Sequence, residues 1–435
     1  MTQPTPLRFG LYTCFAPGGP LGTAWHHPGN LDFNYLDLDH QTKLAKALEA
    51  AKFDLIFWAD FSGVHDTYQS SYNVAVRDAV AFPLGDPLVL TAALAGATEN
   101  LGLAFSANMT QQNPYNFARR VATLDHLTKG RISWNIVTSY QPSAWRNAGF
   151  DDMEGHSTRY VRAQEYVDVV RKLLVESWED KAVVRDVERK VYADPALVHP
   201  IEHEGTYYRV PGIGLSEPSP QRMPVTLQAG SSGDGRNFSA RNAEAMFIGT
   251  DSPDGAAKMI SDMTRRLEEN GRSRSDMLFL QYFNVVLAST EEEAKRKNEE
   301  LDEQLISEGN IAFTSSSMGT DLSQIDIDKP FADFKTESMQ GILKGFIESA
   351  PDKSWTFRDM VRKLGSDRVV GTPEQIADEL EKWRDVGGVD GINLNGQDVQ
   401  NTYDFLEHAV PVLQERGLMQ REYRSGTLRD KLFRR

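Results

Sequence analysis

The feature that most constrains the fold of this chain is a series of short apolar runs that alternate with helical periodicity. Eight such runs are candidate strands, and they lie at residues 8–13, 54–59, 102–107, 132–138, 225–229, 245–249, 279–287 and 390–394. Nearly continuous apolar runs are typical of strands buried on both faces, as in a parallel sheet. Eight strands alternating with helices indicate either a closed barrel or a doubly wound open sheet.

Helical patterns follow most of these runs, at residues 41–51, 87–98, 116–127, 157–175, 237–243, 256–268, 291–306 and 373–386. The last has a clear start signal, because Thr372 is a good N-cap and Pro373 fits the first helical position. The glycine-rich stretch 18–22 after the first strand does not fit the GxGxxG pattern of dinucleotide-binding folds. We therefore predict an α/β fold, a (β/α)8 TIM barrel that forms one domain over residues 1–435.

Two long segments interrupt the alternation and are expected to be insertions. Residues 180–224 carry six prolines and three glycines without a helical period, and residues 309–354 are polar, with Thr314 followed by three serines. Long irregular segments in a compact domain are usually lids or binding loops, and in a barrel we expect them at the carboxyl ends of the strands. The basic tail, residues 421–435, is expected to be solvated or to contact another subunit.

Composition excludes several classes of partner. With one cysteine, Cys14, the chain cannot form an intramolecular disulfide, and its start lacks the pattern of a secretory signal. We therefore expect a cytoplasmic protein. A formal net charge of −15 does not suit nucleic acid or an anionic membrane surface, and no apolar run is long enough to span a bilayer.

The turn after the fifth predicted strand is the first candidate binding site. It contains Gly230, Ser231 and Ser232, and Arg236 lies just beyond them. Small residues between a strand and a helix let backbone N–H groups approach an anion closely, and the helix dipole and an arginine add to the attraction. The turn could bind a phosphate group, and a plain glycine-serine turn is the structural alternative.

Polar side chains at strand ends supply further candidates. Asp60, Asn108 and the pair Asn135 and Thr138 end three apolar strands, which is where barrels place their active sites.

One helix start offers a second pair of candidates. His156 and Tyr160 are four residues apart at the start of a predicted helix, so they can face the same ligand. A histidine in the capping region and a core tyrosine are the structural alternative for this pair.

Metal and serine-hydrolase chemistry are not supported. The pairs His26-His27 and His65-Asp66 have no HxH, HExxH or CxxC context, and no GxSxG motif occurs. We expect no metal centre.

One block of sequence resembles a known family. Residues 118–131, ARRVATLDHLTKGR, lead into residues 134–139, WNIVTS, and this is similar to the nitrilotriacetate monooxygenase component A and dibenzothiophene-sulfone monooxygenase branch of the luciferase-like flavin monooxygenases. Residues 24–29, 53–60, 177–180 with 198–199, and 217–222 running into 228–232 agree with it. The resemblance extends from Leu7 to about Glu415.

The resemblance implies a two-component monooxygenase. Reduced FMN (FMNH2) would come from a separate NAD(P)H:flavin reductase and react with O2 to form a C4a-hydroperoxyflavin. That species would oxygenate a small organic substrate, such as an organosulfur compound, an aromatic or haloaromatic compound or an amine. A homodimer or homotetramer is expected.

Carried over by position, Asp60, Asn108, Asn135, Thr138, His156 and Tyr160 would line the FMN, and Gly230, Ser231 and Ser232 would hold its phosphate. Relatives usually have Ser or Thr in place of Asn108, so Thr110 is the alternative contact. His156 or Tyr160 could hydrogen-bond the peroxide or flavin N5.

The substrate pocket is expected to be mostly apolar. It would contain Phe15, Trp25, Phe57 and Trp134 beneath a lid formed by residues 309–354. The aromatic residues near the predicted strand ends slightly favour an aromatic or organosulfur substrate over a polycarboxylate, for which more Arg or Lys would be expected in these loops.

Three alternatives stay open from the sequence. They are a deazaflavin-dependent oxidoreductase on the same barrel, a non-catalytic flavin-binding protein, and a metal-dependent barrel hydrolase.

Overall fold

The computed structural model describes residues 5–18, 25, 34–303, 305–330, 355–366, 368–396 and 399–434, with the backbone alone for 363–366. Thirteen strands lie in these ranges: β1 (Arg8–Cys14), β2 (Leu55–Ala59), β3 (Gly102–Asn108), β4 (Ile132–Val137), β5 (Val183–Asp186), β6 (Val191–Ala193), β7 (His203–Glu204), β8 (Arg209–Val210), β9 (Val225–Gln228), β10 (Ala245–Ile248), β11 (Leu278–Leu287), β12 (Arg368–Gly371) and β13 (Gly391–Asn395).

Eight of these strands close into a parallel barrel. The order around the barrel is β1, β2, β3, β4, β9, β10, β11 and β13, and β13 pairs with β1 to complete the ring. The eight candidate strands of the sequence are these eight, so the predicted (β/α)8 barrel is confirmed. The sequence reading missed β12, which pairs in parallel with the end of β11.

Helices surround the barrel. In the described ranges they are α1 (Leu38–Ala50), α2 (Asn73–Arg77), α3 (Pro87–Leu94), α4 (Pro114–Leu127), α5 (Pro142–Asn147), α6 (His156–Arg171), α7 (Gly233–Asn242), α8 (Pro253–Glu269), α9 (Glu291–Asp302), α10 (Glu308–Met318), α11 (Phe357–Ser366), α12 (Pro373–Asp385), α13 (Val399–Asp404), α14 (Val410–Glu415) and α15 (Leu428–Phe433). Thr372 caps α12 as predicted, with Gln375 completing a capping box. None of these helices combines the length and the apolar character that crossing a membrane would require.

Side chains alternate between the barrel interior and the helical layer, as strand geometry requires. In β2, Phe57 points inward and stacks on Phe247 of β10 with ring centroids 4.7 Å apart. Tyr12 packs against Phe57 at 5.6 Å and against Tyr282 at 5.7 Å. These four rings form an aromatic layer across the barrel, and Trp58, which points outward, joins the larger cluster between sheet and helices.

The carboxyl-terminal tail closes the amino-terminal mouth of the barrel. Leu428 and Leu432 of α15 are buried in the same cluster as the inward side chains of the strands. At the start of β1, the Arg8 guanidinium donates two hydrogen bonds to the Leu432 carbonyl, at 2.7 and 2.9 Å. The expectation of a solvated or subunit-contacting tail is therefore wrong for this helix, because its apolar side is needed to cover the barrel floor.

The insertion at residues 180–224 and the described part of the insertion at 309–354, residues 309–330, lie at opposite ends of the barrel. Residues 180–224 form two antiparallel hairpins, β5–β6 and β7–β8, between α6 and the start of β9. They are therefore at the amino-terminal end, and the expected position at the carboxyl ends of the strands is wrong for them. Residues 309–354 begin as helix rather than irregular chain, because 308–318 is α10, and residues 331–354 of this insertion lie outside the described ranges.

Candidate active site

The carboxyl ends of the barrel strands bring the candidate residues to one rim. Asp60 follows β2, Asn108 ends β3 and Thr138 follows β4, while the turn 229–232 connects β9 to α7. Because the strands are parallel, these positions share the face where barrels build their sites.

The turn between β9 and α7 contacts the start of α6. Ser232 is the N-cap of α7, and its hydroxyl accepts a hydrogen bond from the Gly235 N–H at 3.1 Å. The same hydroxyl lies 3.3 Å from Nε2 of His156, and the edge of the Tyr160 ring packs on the His156 ring at 5.3 Å. The structure thus brings His156, Tyr160, Ser231 and Ser232 into one group, which we call the turn cluster together with Gly230.

Two glycines of the turn leave room for the Tyr160 hydroxyl. A Cβ added at Gly230 or Gly235 would lie 2.9 or 2.8 Å from that oxygen, closer than carbon and oxygen approach without displacement. Burial raises the pKa of Tyr160, although hydrogen bonds with Ser232 and Gln228 act against the shift. Tyr160 is therefore a neutral phenol that can donate a hydrogen bond into the turn.

Arg236 contacts the turn through a backbone carbonyl and is paired with a carboxylate. Its guanidinium donates to the Ser231 carbonyl at 2.9 Å and to Asp262 at 3.1 Å. Burial alone would raise the pKa of Asp262, but hydrogen bonds from Arg266, Arg265 and Arg236 hold it at about 2. Arg236 is thus neutralised by a carboxylate and holds the turn in shape.

The Asn108 amide is engaged within its own turn. Its Oδ1 accepts hydrogen bonds from the Thr110 N–H at 2.9 Å, the Thr110 hydroxyl at 2.5 Å and the Gln111 N–H at 3.2 Å, while its Nδ2 donates to Ser62. Gln111 in turn donates to the carboxylate of Asp60, whose pKa burial raises to about 6. These contacts make Asn108 the organiser of the β3 turn and leave it poorly placed to bind a ligand.

Asn135 presents an unused acceptor inside the barrel. Its Nδ2 donates to Ser106 at 2.9 Å, but its buried Oδ1 has no hydrogen-bond partner among the described residues. The Oδ1 of Asn393 on β13 is in the same situation and was missed by the sequence reading. A buried unpaired acceptor is costly, so such oxygens indicate sites completed by water or a ligand.

The end of β4 is tied to α6. Thr138 is half-buried, and the next residue, Ser139, has a positive φ of 55°. The Ser139 carbonyl accepts hydrogen bonds from Arg159 at 2.6 Å and from Trp145 at 3.3 Å. Arg159 precedes Tyr160 on α6, so the β4 end and the turn cluster are held in a common frame.

The four aromatic pocket candidates separate into different environments. Phe57 lies inside the barrel, and Phe15 is half-buried at the rim, 5.6 Å from the Tyr35 ring. Trp25 is 40% exposed and donates to the Asp78 carbonyl at 3.1 Å.

Trp134 contradicts the expectation of a pocket residue. Asn135 points inward, so Trp134 must point outward, where it packs on Phe117 at 4.6 Å and Tyr166 at 6.1 Å in the helical layer.

A second group of side chains at the rim was missed. His65 is buried, with its ring 5.7 Å from that of Phe61 and 5.0 Å from that of Phe313 on α10, and the Phe61 and Tyr140 rings are 6.3 Å apart. The hydroxyl of Ser317, also on α10, is buried beside the Tyr140 hydroxyl, with which it interacts. We call these five residues the roof cluster.

The roof cluster is uncharged. Burial lowers the pKa of His65 to about 4 and raises that of Tyr140 above its ordinary value. The Gln141 amide donates to the His65 ring, at 3.3 Å from Nε2 and 3.4 Å from Nδ1. The sequence signals were present, because Phe61 directly follows Asp60 and Tyr140 closely follows Thr138, but the polar run 314–317 concealed the helix that completes the cluster.

Comparison with known proteins agrees with this geometry. A family model described as luciferase-like monooxygenase matches residues 7–390. The chain is 42% identical over 415 residues to dimethyl-sulfide monooxygenase of Hyphomicrobium sulfonivorans, with 94% of this chain and 86% of the relative covered. It is 34% identical over 421 residues to nitrilotriacetate monooxygenase component A of Aminobacter aminovorans, with 94% and 92% covered.

A solved structure extends the likeness to a flavin complex. The crystal structure of riboflavin lyase (RcaE) with modified FMN and substrate riboflavin matches with a TM-score of 0.93 and 34% identity, covering 99% of this chain and 96% of that chain. The family match spans most of the chain and the relatives exceed 30% identity over nearly its whole length. The chain belongs to the luciferase-like monooxygenase family and is an enzyme of the monooxygenase class.

Proposed function

We propose that this enzyme is the oxygenase component of a two-component, FMNH2-dependent monooxygenase that acts on a small uncharged organic substrate. The observation that carries the cofactor assignment is the turn cluster, where serine hydroxyls, a tyrosine hydroxyl and a histidine nitrogen meet at the start of α7. Such a set of donors at a helix amino terminus suits a phosphate monoester.

The residues present fit FMN in two respects. Gly230 and Gly235 keep the turn open beside Tyr160, where a Cβ would intrude, so the phosphate would lie against Ser231 and Ser232. The unpaired Oδ1 of Asn135 offers an acceptor for an N–H of the flavin ring.

The rim supplies the remaining flavin contacts. Asp60 and Thr138 would border the ring. Thr110 is the alternative contact to Asn108, because its hydroxyl donates to Asn108 but keeps its acceptor lone pairs. The contacts of His156 and Tyr160 favour holding the phosphate over taking part in the oxygen chemistry.

Reduced flavin would supply the electrons that reduce O2. One oxygen atom would be inserted in the substrate, and the other would be released as water. The protein's own task is to orient its ligands and exclude water. The aromatic layer within the barrel and the roof cluster would do this from below and above, since both are built from buried and half-buried rings. Asp60 and the neutral hydroxyl of Tyr140 are the groups near the roof able to exchange or donate a proton.

The roof cluster supports an uncharged substrate. It contains no Lys or Arg, and both of its titratable side chains, His65 and Tyr140, are neutral near pH 7. A polycarboxylate would find no counter-charge there and would lie near the carboxyl group of Asp60. The name of the relative from Hyphomicrobium contains dimethyl sulfide, which is an uncharged compound. Other thioethers, sulfones and simple aromatic compounds are also uncharged.

The enzyme would receive FMNH2 from a separate NAD(P)H:flavin reductase. The name of the Aminobacter relative, component A, identifies that protein as one part of a larger enzyme system.

A coupled assay tests the proposal. Purified protein is supplied with FMN, NADH, a generic flavin reductase and 18O2, and products are read by mass spectrometry for dimethyl sulfide, a diaryl sulfone, an alkyl benzene and nitrilotriacetate. We expect one 18O atom in the product of an uncharged compound and none from nitrilotriacetate. Turnover of nitrilotriacetate alone would contradict the substrate class, and no 18O incorporation combined with no FMN binding would contradict the function.

A further inference from the structure

Two consecutive strand-to-helix turns of the barrel have the same local design. Ser232 caps α7 and Ser252 caps α8, and each is followed two residues later by an aspartate, Asp234 and Asp254 respectively. Aspartate in a first helical turn ordinarily stabilises the helix through its dipole. Asp254 is exposed and fits this role, but Asp234 has partners outside its own helix.

Asp234 contacts the start of α6. Its Oδ2 lies 3.2 Å from Nδ1 of His156 and accepts a hydrogen bond from the Ser157 hydroxyl at 2.6 Å. A carboxylate only accepts hydrogen bonds, so Nδ1 of His156 must carry the proton. The opposite nitrogen, Nε2, then faces the Ser232 hydroxyl in the turn cluster, at 3.3 Å.

The nearby arginines have partners of their own. Arg236 donates to the Ser231 carbonyl at 2.9 Å and pairs with Asp262 at 3.1 Å, and Nη1 of Arg159 donates to the Ser139 carbonyl at 2.6 Å. Among these three side chains, His156 is the one that places a nitrogen beside the Ser232 hydroxyl and can take up a positive charge there. A proton on Nε2 would give an imidazolium that donates to an anion on one side and is neutralised by Asp234 on the other.

We propose that Asp234 is a positioning residue that gives the turn cluster its selectivity for a phosphate monoester. It fixes the His156 ring with Nε2 toward the turn and stabilises the protonated ring when a phosphate binds. Attraction between Asp234 and the adjacent ring outweighs repulsion between Asp234 and the phosphate, because the imidazole separates the two anions and Coulomb energy falls with distance. This role rests on the proposed function, in which that phosphate belongs to FMN.

The test compares FMN with riboflavin, which lacks the phosphate. Both affinities are measured by flavin fluorescence on the intact protein, riboflavin by competition with FMN so that riboflavin bound elsewhere is not counted. We expect Asp234→Asn, which keeps the shape and an acceptor oxygen but removes the charge, to lower the preference for FMN about tenfold by weakening FMN binding alone. Asp254→Asn is the matched control, with the same position in the next helix, and should leave the preference unchanged.

The outcomes separate the two proposals. If the wild-type protein binds FMN no better than riboflavin, the phosphate site and with it the cofactor assignment fail. If wild type prefers FMN but Asp234→Asn keeps or increases that preference, the role of Asp234 is overturned while the proposed function stands. Ser157→Ala, which removes one contact of Asp234 and keeps its charge, should lower the preference about twofold. If Asp234→Asn folds poorly, an unchanged preference in Ser157→Ala by itself overturns the proposal.

Discussion

The two ends of strand β2 carry buried carboxyl groups with the same titration behaviour and different surroundings. Asp54, just before the strand, accepts hydrogen bonds from the Phe9 N–H at 2.7 Å and from Gln420 at 3.1 Å. Asp60, just after it, accepts one from the Gln111 side chain. Burial raises the pKa of each from 3.8 to about 6, so burial alone does not distinguish a structural carboxyl from one in a site.

The difference extends to the whole of each barrel end. At the amino-terminal end, Arg8 and Arg429 are satisfied by backbone carbonyls and Glu244, and α15 covers the opening. At the carboxyl-terminal end, the amide oxygen of Asn135 is buried without a hydrogen-bond partner among the described residues. For these residues, the hydrogen bonds are completed by the protein at the covered end, and an acceptor is left for a ligand or water at the open end.

The largest expected effect is at the amino-terminal end, which α15 covers. A substitution there should lower the stability of the protein without weakening FMN binding. Leu432 is 1% exposed beneath the barrel, so Leu432→Ala should lower the free energy of unfolding by about 3 kcal/mol because it leaves a cavity. Urea denaturation measures this, and Leu36→Ala, at a side chain 65% exposed, is the control with a change below about 0.5 kcal/mol. FMN affinity of the folded Leu432→Ala protein should equal that of wild type; a large drop would mean that the two ends are not independent.

At the open end we expect the main effect on binding. Gly230→Ala places a Cβ 2.9 Å from both the Tyr160 hydroxyl and the Gly235 Cα and 2.6 Å from Nε2 of Gln228, so the turn must shift. The variant should weaken FMN binding by about thirtyfold, or about 2 kcal/mol, and urea denaturation separates this from any loss of stability. Gly233→Ala is the matched control, because a Cβ there meets nothing within 4 Å. Titration of each variant with FMN gives both numbers, and equal affinities for the two variants would remove the turn cluster from phosphate binding.

The barrel could be predicted because each of its eight strands has a recognisable apolar pattern in the sequence. Runs such as 102–107 are apolar on both faces, and only a strand within a covered sheet buries both. The strand β12 was missed because its residues, Arg368–Gly371, are half-buried and pair only with the projecting end of β11.

The sequence predicted where the site residues lie in the fold better than it predicted which side chains they contact. The residues at the strand ends lie together at the carboxyl-terminal end of the barrel, because the parallel topology alone places them there. Their hydrogen bonds depend on neighbours far along the chain, and no local pattern shows that Arg236 is paired with Asp262 or that Trp134 faces Phe117. The serines and threonine of residues 314–317 suggested irregular chain because their helix propensity is weak. In the structure they are helical, because burial of the α10 face overrides that propensity.

The next effect separates the two carboxyl groups by pH. A carboxyl whose folded pKa lies above its unfolded value favours the protonated folded state, so its contribution to stability is present at low pH and is lost as pH rises through about 6. Asp54→Asn and Asp60→Asn should each remove part of this loss. FMN affinity should change near pH 6 by up to about tenfold, and this change should be smaller in Asp60→Asn and persist in Asp54→Asn, because of these two carboxyl groups Asp60 is the one that borders the open end.

Measuring FMN affinity between pH 5 and 8 in both variants decides the point. A pH transition as large in Asp60→Asn as in wild type would place the titrating group elsewhere at the rim. A transition lost in Asp54→Asn would show that the amino-terminal end contributes to binding.

The smallest expected effect concerns the roof cluster. The test asks whether these residues only exclude water from the site or also hydrogen-bond the substrate. His65 accepts a hydrogen bond from Gln141 and packs between Phe61 and Phe313, so His65→Phe preserves the enclosure and removes its polar atoms. If the cluster only excludes water, the yield of product per reduced flavin should be unchanged for every substrate. If His65 also donates a hydrogen bond, the yield should fall about threefold for a sulfone and stay constant for a thioether, because only the sulfone has strong acceptor oxygens. Product and H2O2 measured in the same reaction decide between these roles, and Asp66→Asn, at a neighbouring side chain paired with Arg146, is the control expected to match wild type.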